Sequence, residues 1–385
     1  MAANRSGDRH SQPQSRRKKS GQQQVRQIER SVSLSIQLVR LAICGLGAST
    51  IAGTAISIVN PPKQPLAAKI EPPVPMPPPT QIGLLAATTA STTLHNRLQV
   101  LNQKSTKLDA SYLFINIDRG EHSEWGADRV LPAASTIKLP ILIALFQDID
   151  AQKIQLEEKL TIDKKSIAGG SGDLQAQKPG TQVSILVAAT KMITISDNTA
   201  TNLLITRLGG KSALNQRFRN WGLDITTINR PLPDLEGTNV TTARELARSM
   251  MAIVGEASPV ENRGKILSDA SRSQVLSMMS RTTGNTMLPQ GLGTGAKIAH
   301  KTGDIGSLIA DVGSIESPTG KKYLAVVLVK RPYNDPSGPE LVRKMSEIAY
   351  AYFQQLPPTS TPSSPPKIES GLPKAPFTKK KINPR

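Results

Sequence analysis

Three short motifs contain the residues whose types and spacing could carry out acyl transfer to a serine. Ser135 and Lys138 form a Ser-x-x-Lys motif, Ser196 begins a Ser-Asp-Asn sequence, and Lys301 begins a Lys-Thr-Gly sequence. A serine hydroxyl becomes a good nucleophile only when a neighbouring base accepts its proton. A lysine can be that base when burial and a second cation lower its pKa. The three motifs therefore predict a serine nucleophile that is activated without a histidine.

The sequence around Ser135 predicts a setting that suits this chemistry. Residues 136–149 are apolar on nearly every face, which indicates a buried helix that begins next to Ser135. Unpaired backbone N–H groups at a helix N-terminus stabilise negative charge. Lys138 lies three residues further on and therefore on the same helix face. A helix N-cap or a turn would explain each motif alone, but their combination on these elements favours a catalytic site.

The other motif residues would assist the same reaction. Ser196 could relay a proton to a leaving nitrogen, and Asn198 could hold a substrate amide. Lys301 would keep the lysine base neutral and attract a substrate carboxylate. We expect the backbone N–H groups of Ser135 and Asp304 to form the oxyanion hole.

Patterns of apolar residues indicate the domain that positions these motifs. They predict strands at 111–118, 295–303, 308–315 and 323–330, and helices at 136–149, 183–208 and 340–354. The order of these elements, with a strand first, helices next, and strands and a helix last, predicts an α/β fold of the α+β type. Its mainly antiparallel sheet would be built from both ends of the domain, with an inserted helical lobe.

Composition separates this domain from its flanks. The formal net charge is +19, and residues 1–40 contain nine Lys/Arg against two acidic residues, while 356–385 contain six against one. We expect both ends to be disordered. Nine prolines between positions 60 and 80 predict an extended linker over 60–85, which leaves 86–355 for the catalytic domain. The domain itself is only mildly basic, so we expect no nucleic-acid partner.

Residues 41–59 are an uncharged stretch of 19 residues, which just reaches the length needed to cross a bilayer. Basic residues precede it, so we expect an uncleaved anchor in the inner (cytoplasmic) membrane with a cytoplasmic leader at 1–40. The catalytic domain would then lie in the periplasm or outside the cell. A cleaved signal segment is the alternative.

Cysteine and histidine usage bounds the chemistry further. The single cysteine, Cys44, excludes an intramolecular disulfide. The four histidines show no zinc-binding spacing. We therefore expect no metal and no cofactor, and we expect the protein to be a monomer.

The segments around the motifs resemble the class A β-lactamase family. The resemblance extends over roughly 92–354 and is carried by AASTIKLPILIALF, GGSG, MITISDNTATNLLITRLGG and IAHKTG. It implies the two-lobed fold of serine β-lactamases and D,D-peptidases, with a five-stranded antiparallel sheet, flanking helices and an all-helical lobe. It also implies β-lactam substrates, a covalent acyl-serine intermediate, and substrate contacts from Asn198, Thr302, Gly303 and Asp304.

One loop departs from the family pattern Arg-x-Glu-Pro-x-Leu-Asn, whose glutamate activates the water that cleaves the acyl-enzyme. Here the sequence from Arg230 is RPLPDLE, so Leu232 occupies the glutamate position and Glu236 the asparagine position. A leucine cannot deprotonate water, so we expect slow deacylation unless Asp234 or Glu236 supplies a carboxylate. Asp304 is a second departure, because its carboxylate could repel that of a β-lactam.

Three functions are consistent with these residues. The leading prediction is a serine hydrolase that opens β-lactam rings through an acyl-Ser135 intermediate. A D,D-peptidase would use the same serine on peptidoglycan stem peptides. A penicillin-recognising sensor would stay acylated or would only bind its ligand.

Overall fold

The predicted strands form one sheet. Its strands are β1 (Thr89–Ala90), β2 (Asp109–Asn116), β3 (Glu121–Trp125), β8 (Lys297–Asp304), β9 (Leu308–Glu316) and β10 (Lys322–Lys330). Their order is β1-β3-β2-β10-β9-β8, and the five longer strands pair antiparallel as expected. The two-residue β1 adds a parallel edge beside β3. The opposite edge is β8, which ends in the Lys-Thr-Gly motif.

The computed structural model describes residues 89–255 and 265–356. These residues belong to one compact unit. The leader, anchor and linker predicted at 1–40, 41–59 and 60–85 lie outside the described residues, as does the tail beyond Leu356. None of the helices in the described part of the chain has the length and apolarity to span a membrane.

The sheet is buried on both faces. Tyr112 and Phe114 of β2 share a core with α1 (Thr92–Lys104) and α8 (Ser337–Gln355). The alternate residues of β2, Leu113 and Ile115, belong to the larger core on the other face. This division follows from the period of two along a strand, which directs successive side chains to opposite faces.

The larger core surrounds α2 (Lys138–Asp150), which follows the 3-10 turn Ala134–Ile137. Every residue from Lys138 to Phe146 is buried, as the all-round apolar pattern predicts. Five helices contact α2: α3 (Ile185–Thr194), α4 (Asn198–Arg207), α5 (Gly210–Asn220), α6 (Ala243–Val254) and α7 (Asp269–Met279). Two short ladders lie among these helices: β4 (Leu131–Pro132) with β7 (Val240–Thr241), and β5 (Lys159–Thr161) with β6 (Gln182–Ser184).

The helical pattern over 183–208 corresponds to two helices and not to one. Helix α3 ends at Thr194 and α4 begins at Asn198. Between them Ser196 has φ +58°, a left-handed value that an α-helix cannot contain. Asp197 then caps α4 by accepting a hydrogen bond from the N–H of Ala200. The Ser-Asp-Asn motif is therefore a turn between two helices.

The other predicted elements are confirmed, with ends that differ by a few residues. The largest difference is at α8, which begins at Ser337 and not at position 340. Helices α1, α5, α6 and α7 and strand β3 were not predicted individually. Neither α1 nor β3 shows a continuous apolar pattern in the sequence.

Candidate active site

The turn that carries Ser135 touches the edge strand β8. Ser135 lies in the 3-10 turn just before α2, and Ala134 beside it has φ +45°. That value is rare for a residue with a side chain. A Cβ on Gly303 would lie 3.1 Å from Ser135 N and 3.0 Å from the Ala134 Cβ. Glycine at position 303 therefore allows the strand to pass this close to the serine backbone.

Lys138 is the centre of the polar cluster. Its Nζ lies 3.1 Å from Ser135 Oγ, 3.0 Å from Ser196 Oγ, 2.7 Å from Ser196 O and 2.9 Å from Asn198 Oδ1. Burial lowers the pKa of Lys138 well below its ordinary value, and the charge of Lys301 lowers it further, while Asp197 opposes the change.

A neutral Lys138 has the geometry of a proton acceptor. A neutral amine has two N–H donors and one lone pair. The carbonyl of Ser196 and the Oδ1 of Asn198 can only accept hydrogen bonds, so they suit the two donors. The lone pair is then available to a hydroxyl proton, and the Ser135 hydroxyl is within reach.

The Ser-Asp-Asn turn is held rigidly by its neighbours. Oδ2 of Asp197 accepts hydrogen bonds from the N–H groups of Asp173 and Leu174, both at 2.8 Å. Asn198 Nδ2 donates to the carbonyl of Gly169 at 2.9 Å. Asp197 and Asn198 are both buried, so these bonds form in an environment with little competing water. The Ser196 hydroxyl is thereby fixed in place.

Lys301 approaches the cluster from the strand. Its Nζ lies 3.1 Å from Ser196 Oγ and donates to the carbonyl of Thr302 at 2.7 Å. Burial lowers the pKa of Lys301 to about 8, and the nearby Asp311 opposes this. Ser196 Oγ thus lies between two lysine nitrogens. A hydroxyl there can accept a proton from one side and donate one to another group.

The N–H of Asp304 points to the outer edge of the sheet. Ile305 N donates to Leu308 O at the end of the β8–β9 hairpin, and the next pair is Asp304 with Ile309. Hydrogen-bonded and non-hydrogen-bonded pairs alternate in an antiparallel ladder. The Asp304–Ile309 pair is therefore non-hydrogen-bonded, and the Asp304 N–H points away from β9. That edge is next to the Ser135 turn.

The Asp304 carboxylate has a counterion. Arg331 Nη2 lies 2.8 Å from both carboxylate oxygens, and Oδ1 also accepts a hydrogen bond from Gly306 N at 2.7 Å. The sequence-based expectation that this carboxylate repels a substrate carboxylate did not include Arg331. Its charge is balanced within the protein.

The loop after Arg230 is anchored through Leu232. The Leu232 N–H donates to Asn202 Oδ1 at 3.0 Å, and Asn202 Nδ2 donates to Leu232 O at 2.8 Å. The peptide bond between Leu232 and Pro233 is cis. The Leu232 side chain belongs to the larger apolar core and is 6 % exposed.

Both carboxylates of this loop are already engaged. Asp234 is buried, and its oxygens accept hydrogen bonds from Asn239 N at 2.6 Å and Thr238 Oγ1 at 3.0 Å. Glu236 is exposed and forms an ion pair with Arg230 at 2.7 Å. Each carboxylate therefore has a structural partner that would be lost if it moved.

All eight residues predicted for the site lie in this one region. Ser135, Lys138, Ser196, Asn198 and Lys301 are joined by hydrogen bonds, and Thr302, Gly303 and Asp304 continue β8 past the nucleophile. Their catalytic roles stay predictions. Within residues 89–255 and 265–356, no cluster of three or more His, Cys, Asp or Glu side chains could hold a metal ion.

Two residues of the site were missed by sequence reasoning. Asn202 lies four residues after Asn198 on α4, so helical spacing could have placed it on the same face. Arg331 had no such signal, because it follows β10 and is 27 residues away from its partner Asp304.

The fold and this arrangement of motifs define the class of protein: they are those of class A β-lactamases and related penicillin-binding proteins. A family model described as "Beta-lactamase enzyme family" matches residues 93–353. The chain belongs to this family, which confirms the resemblance and the fold class predicted from the sequence.

Individual relatives differ in how close they are. Beta-lactamase BRO-1 of Moraxella catarrhalis is 27% identical over 256 residues, which are 63% of this chain and 78% of that protein. A solved structure described as PBP-A is 48% identical, with a TM-score of 0.67, and covers 71% of this chain and 100% of its own. A leucine-to-glutamate mutant of PBP-A, solved as an acyl-enzyme complex with penicillin G, is 47% identical, with a TM-score of 0.66, and covers 73% and 100%.

Proposed function

We propose that the protein is a serine hydrolase that is acylated by β-lactams at Ser135 and releases the acyl group slowly. The observation that carries this proposal is the position of Lys138 Nζ, within 3.1 Å of both the Ser135 and the Ser196 hydroxyls. Burial and Lys301 favour the neutral amine, which is the form that accepts a proton. The penicillin acyl-enzyme of a 47% identical protein supports the same class of substrate.

The acylation step uses only groups of the chain. Ser135 Oγ bonds to the lactam carbonyl carbon while its proton passes to the lone pair of Lys138. Backbone N–H groups of Ser135 and Asp304 would stabilise the negative oxygen that forms. The carbon–nitrogen bond then breaks, and the nitrogen receives a proton from Ser196, which Lys138 replenishes. Protons balance, and Lys301 remains the cation that attracts the substrate carboxylate.

Slow deacylation follows from the loop around Leu232. Hydrolysis of the acyl-enzyme needs a base that deprotonates water, which contributes roughly 10²–10⁴-fold to such steps. Leu232 offers no base. Asp234 and Glu236, the two carboxylates that could replace it, are held by Asn239, Thr238 and Arg230. We therefore propose that neither carboxylate activates water in this fold.

A D,D-peptidase that acts on peptidoglycan stem peptides is the second candidate. The absence of a glutamate at position 232 and the similarity to a protein described as PBP-A favour it. The uncharged stretch 41–59 supports a membrane anchor that would place the domain in the periplasm or outside the cell, on the side of the wall. The anchor, this location and a monomeric state remain parts of the proposal.

Mass spectrometry of the intact, full-length protein with penicillin G tests these proposals. We expect a persistent adduct with the mass of one penicillin. Ser135→Ala should abolish the adduct, whereas Ser277→Ala, at an exposed serine of α7, should not. No adduct and no ring-opened product in the wild type would refute the acyl-enzyme. Ring-opened product without a lasting adduct would refute slow deacylation. Release of D-alanine from a D-Ala-D-Ala peptide would establish the peptidase.

A further inference from the structure

Arg331 contacts the β8–β9 hairpin through two of its three guanidinium nitrogens. Its side chain is only 5% exposed. Nη2 binds both oxygens of Asp304, Nε donates to Gly306 O at 2.9 Å, and Nη1 donates to Asp335 O at 3.1 Å. The Arg331 backbone N–H also donates to Ser307 O at 2.9 Å. One residue thus contacts both sides of the two-residue turn.

The residues that follow Arg331 complete the contact. Asn334 N donates to Gly306 O at 3.0 Å. A Cβ on Gly306 would lie 2.3 Å from the ring of Tyr333, so the ring is packed directly on the turn. Gly306 itself has φ +81°, which the turn requires and which other residues adopt at a cost. The turn is therefore fixed from outside as well as by its own hydrogen bonds.

This contact matters because β8 is an edge strand. It has a neighbouring strand, β9, on one side only. The Asp304 N–H lies on the open side, one residue before the end of the β8–β9 ladder at Ile305. Donors to a developing oxyanion must be aimed before the reaction, and displacement by about 1 Å can cost roughly 100-fold in rate. An edge strand without further support would hold such a donor loosely.

We propose that Arg331 is a positioning residue that clamps the β8–β9 turn and so aims the backbone N–H of Asp304 at the oxygen of the reacting carbonyl. The inference rests on the proposed acyl-enzyme. Arg331 does not touch the substrate. The carboxylate of Asp304 is part of the same clamp, because it binds Arg331. The oxyanion donor is the backbone N–H of Asp304, which no side-chain substitution removes.

A purely structural ion pair would behave differently. Removing it would lower the stability of the protein without a selective effect on the acylation step. Arg244 provides the matched control: it pairs with Asp128 and Glu124 and is itself mostly buried, yet none of these contacts reaches β8.

The test compares Arg331→Met, Arg331→Lys and Arg244→Met in the full-length protein. We would measure four quantities for each variant: the rate of acylation at saturating penicillin G, the penicillin concentration that gives half of this rate, the affinity for an arylboronic acid that forms a tetrahedral serine adduct, and Tm. We expect Arg331→Met to lower the acylation rate and boronate affinity by about 10–100-fold, since losing one oxyanion donor outright costs about 10²–10³. Half-saturation should change less than about threefold, and Arg331→Lys should recover part of the loss.

Arg244→Met should lower Tm with acylation unchanged. The clamp is refuted if Arg331→Met acylates at the wild-type rate. It is also refuted if Arg244→Met, at an equal loss of Tm, loses as much rate. If Arg331→Met fails to fold, Asp304→Asn replaces it in the test. This variant keeps the backbone donor but loses the charge that binds Arg331, so we expect its acylation rate and boronate affinity to fall as well. Wild-type values in Asp304→Asn would refute the clamp.

Amide hydrogen exchange separates this inference from the proposed function. If the wild type forms no adduct, the proposed function fails, and exchange of residues 301–308 still decides whether the clamp exists. We expect Arg331→Met to exchange at least tenfold faster there than the wild type, with the rest of the sheet unchanged. Equal exchange in the two proteins overturns the clamp.

Discussion

Replacing Lys301 by methionine should make the protein more stable and inactive. Lys301 is fully buried, and its pKa of about 8 lies well below the ordinary 10.5. At about 1.4 kcal/mol per pH unit, this difference corresponds to roughly 3 kcal/mol of unfavourable free energy when the buried amine is protonated. Methionine avoids that cost but loses the hydrogen bonds to Ser196 Oγ and Thr302 O, at about 1 kcal/mol each. The net expectation at pH 7 is a gain of about 1–2 kcal/mol in the free energy of unfolding.

The gain should depend on pH in a defined direction. Below pH 8 both the folded and the unfolded wild type carry the proton, so the full cost is present. Between pH 8 and 10.5 the folded state binds fewer protons than the unfolded state, so the stability of the wild type rises with pH. The advantage of Lys301→Met should therefore shrink over this interval and vanish near pH 9. Near pH 10.5 the variant should be less stable than the wild type by about 2 kcal/mol, because only the loss of the two hydrogen bonds remains.

Urea unfolding at pH 7, 9 and 10.5 measures this difference, and penicillin adduct formation measures activity. Acylation should fall, because the pKa of Lys138 rises when the charge of Lys301 is removed and because the substrate carboxylate loses its cation. Lys297→Met, at an exposed lysine of the same strand, is the control and should change neither quantity. A variant that is less stable than the wild type at pH 7, or whose advantage is the same at every pH, would refute the reasoning.

Two further substitutions test the separate halves of the reaction. Leu232→Glu should shorten the lifetime of the penicillin adduct by at least tenfold, which is a small part of what a well-placed general base provides. The poorly paired buried carboxyl group should lower the free energy of unfolding by about 1–3 kcal/mol. Time-resolved intact-mass spectrometry measures the lifetime, and an equal effect of Leu232→Gln would contradict a role as base. Gly303→Ala should slow adduct formation by up to about tenfold, because its Cβ would lie 3.1 Å from Ser135 N and would push the serine turn away from the strand. Stopped-flow acylation with a parallel Tm measurement checks it, and a wild-type rate would show that the turn tolerates the added methyl group.

The sequence was sufficient to bring the predicted site residues together and to predict most of the elements on which they lie. The apolar run after Ser135 predicts a helix buried on all sides, because no face of it could lie in water. Largely apolar runs predict β9 and β10 nearly to their ends, because strands that are covered on both faces have apolar residues at nearly every position. The types of the motif residues and their order along the chain were thus enough to locate the cluster around Lys138.

The supports of the cluster could not be predicted, because they depend on backbone conformation and on hydrogen-bond partners that the sequence pattern does not show. The helical pattern over 183–208 continues through Ser196, so the turn there shows only in the backbone. The charge of Asp304 suggests repulsion until the position of Arg331 is known. Asp234 resembles a spare carboxylate in the sequence, but its oxygens are already bonded to Asn239 and Thr238. In each case the folded chain supplies a conformation or a hydrogen-bond partner that the sequence pattern does not show.

The groups proposed for acylation lie on different segments from the position proposed to control deacylation. The groups proposed for acylation come from the Ser135 turn, the Ser196 turn and β8, and they meet through the Ser196 hydroxyl, so a change in any one disturbs the others. The residue that would activate water belongs to a different loop, which reaches this cluster through the backbone of Leu232 and the side chain of Asn202. Because Asn202 binds only the backbone of residue 232, both hydrogen bonds remain available to any residue at this position. Under the proposed function, the second half of the reaction would therefore be gained or lost at one position while the first half stays intact, and a penicillin-reactive protein and a β-lactamase would differ at a single loop of one fold.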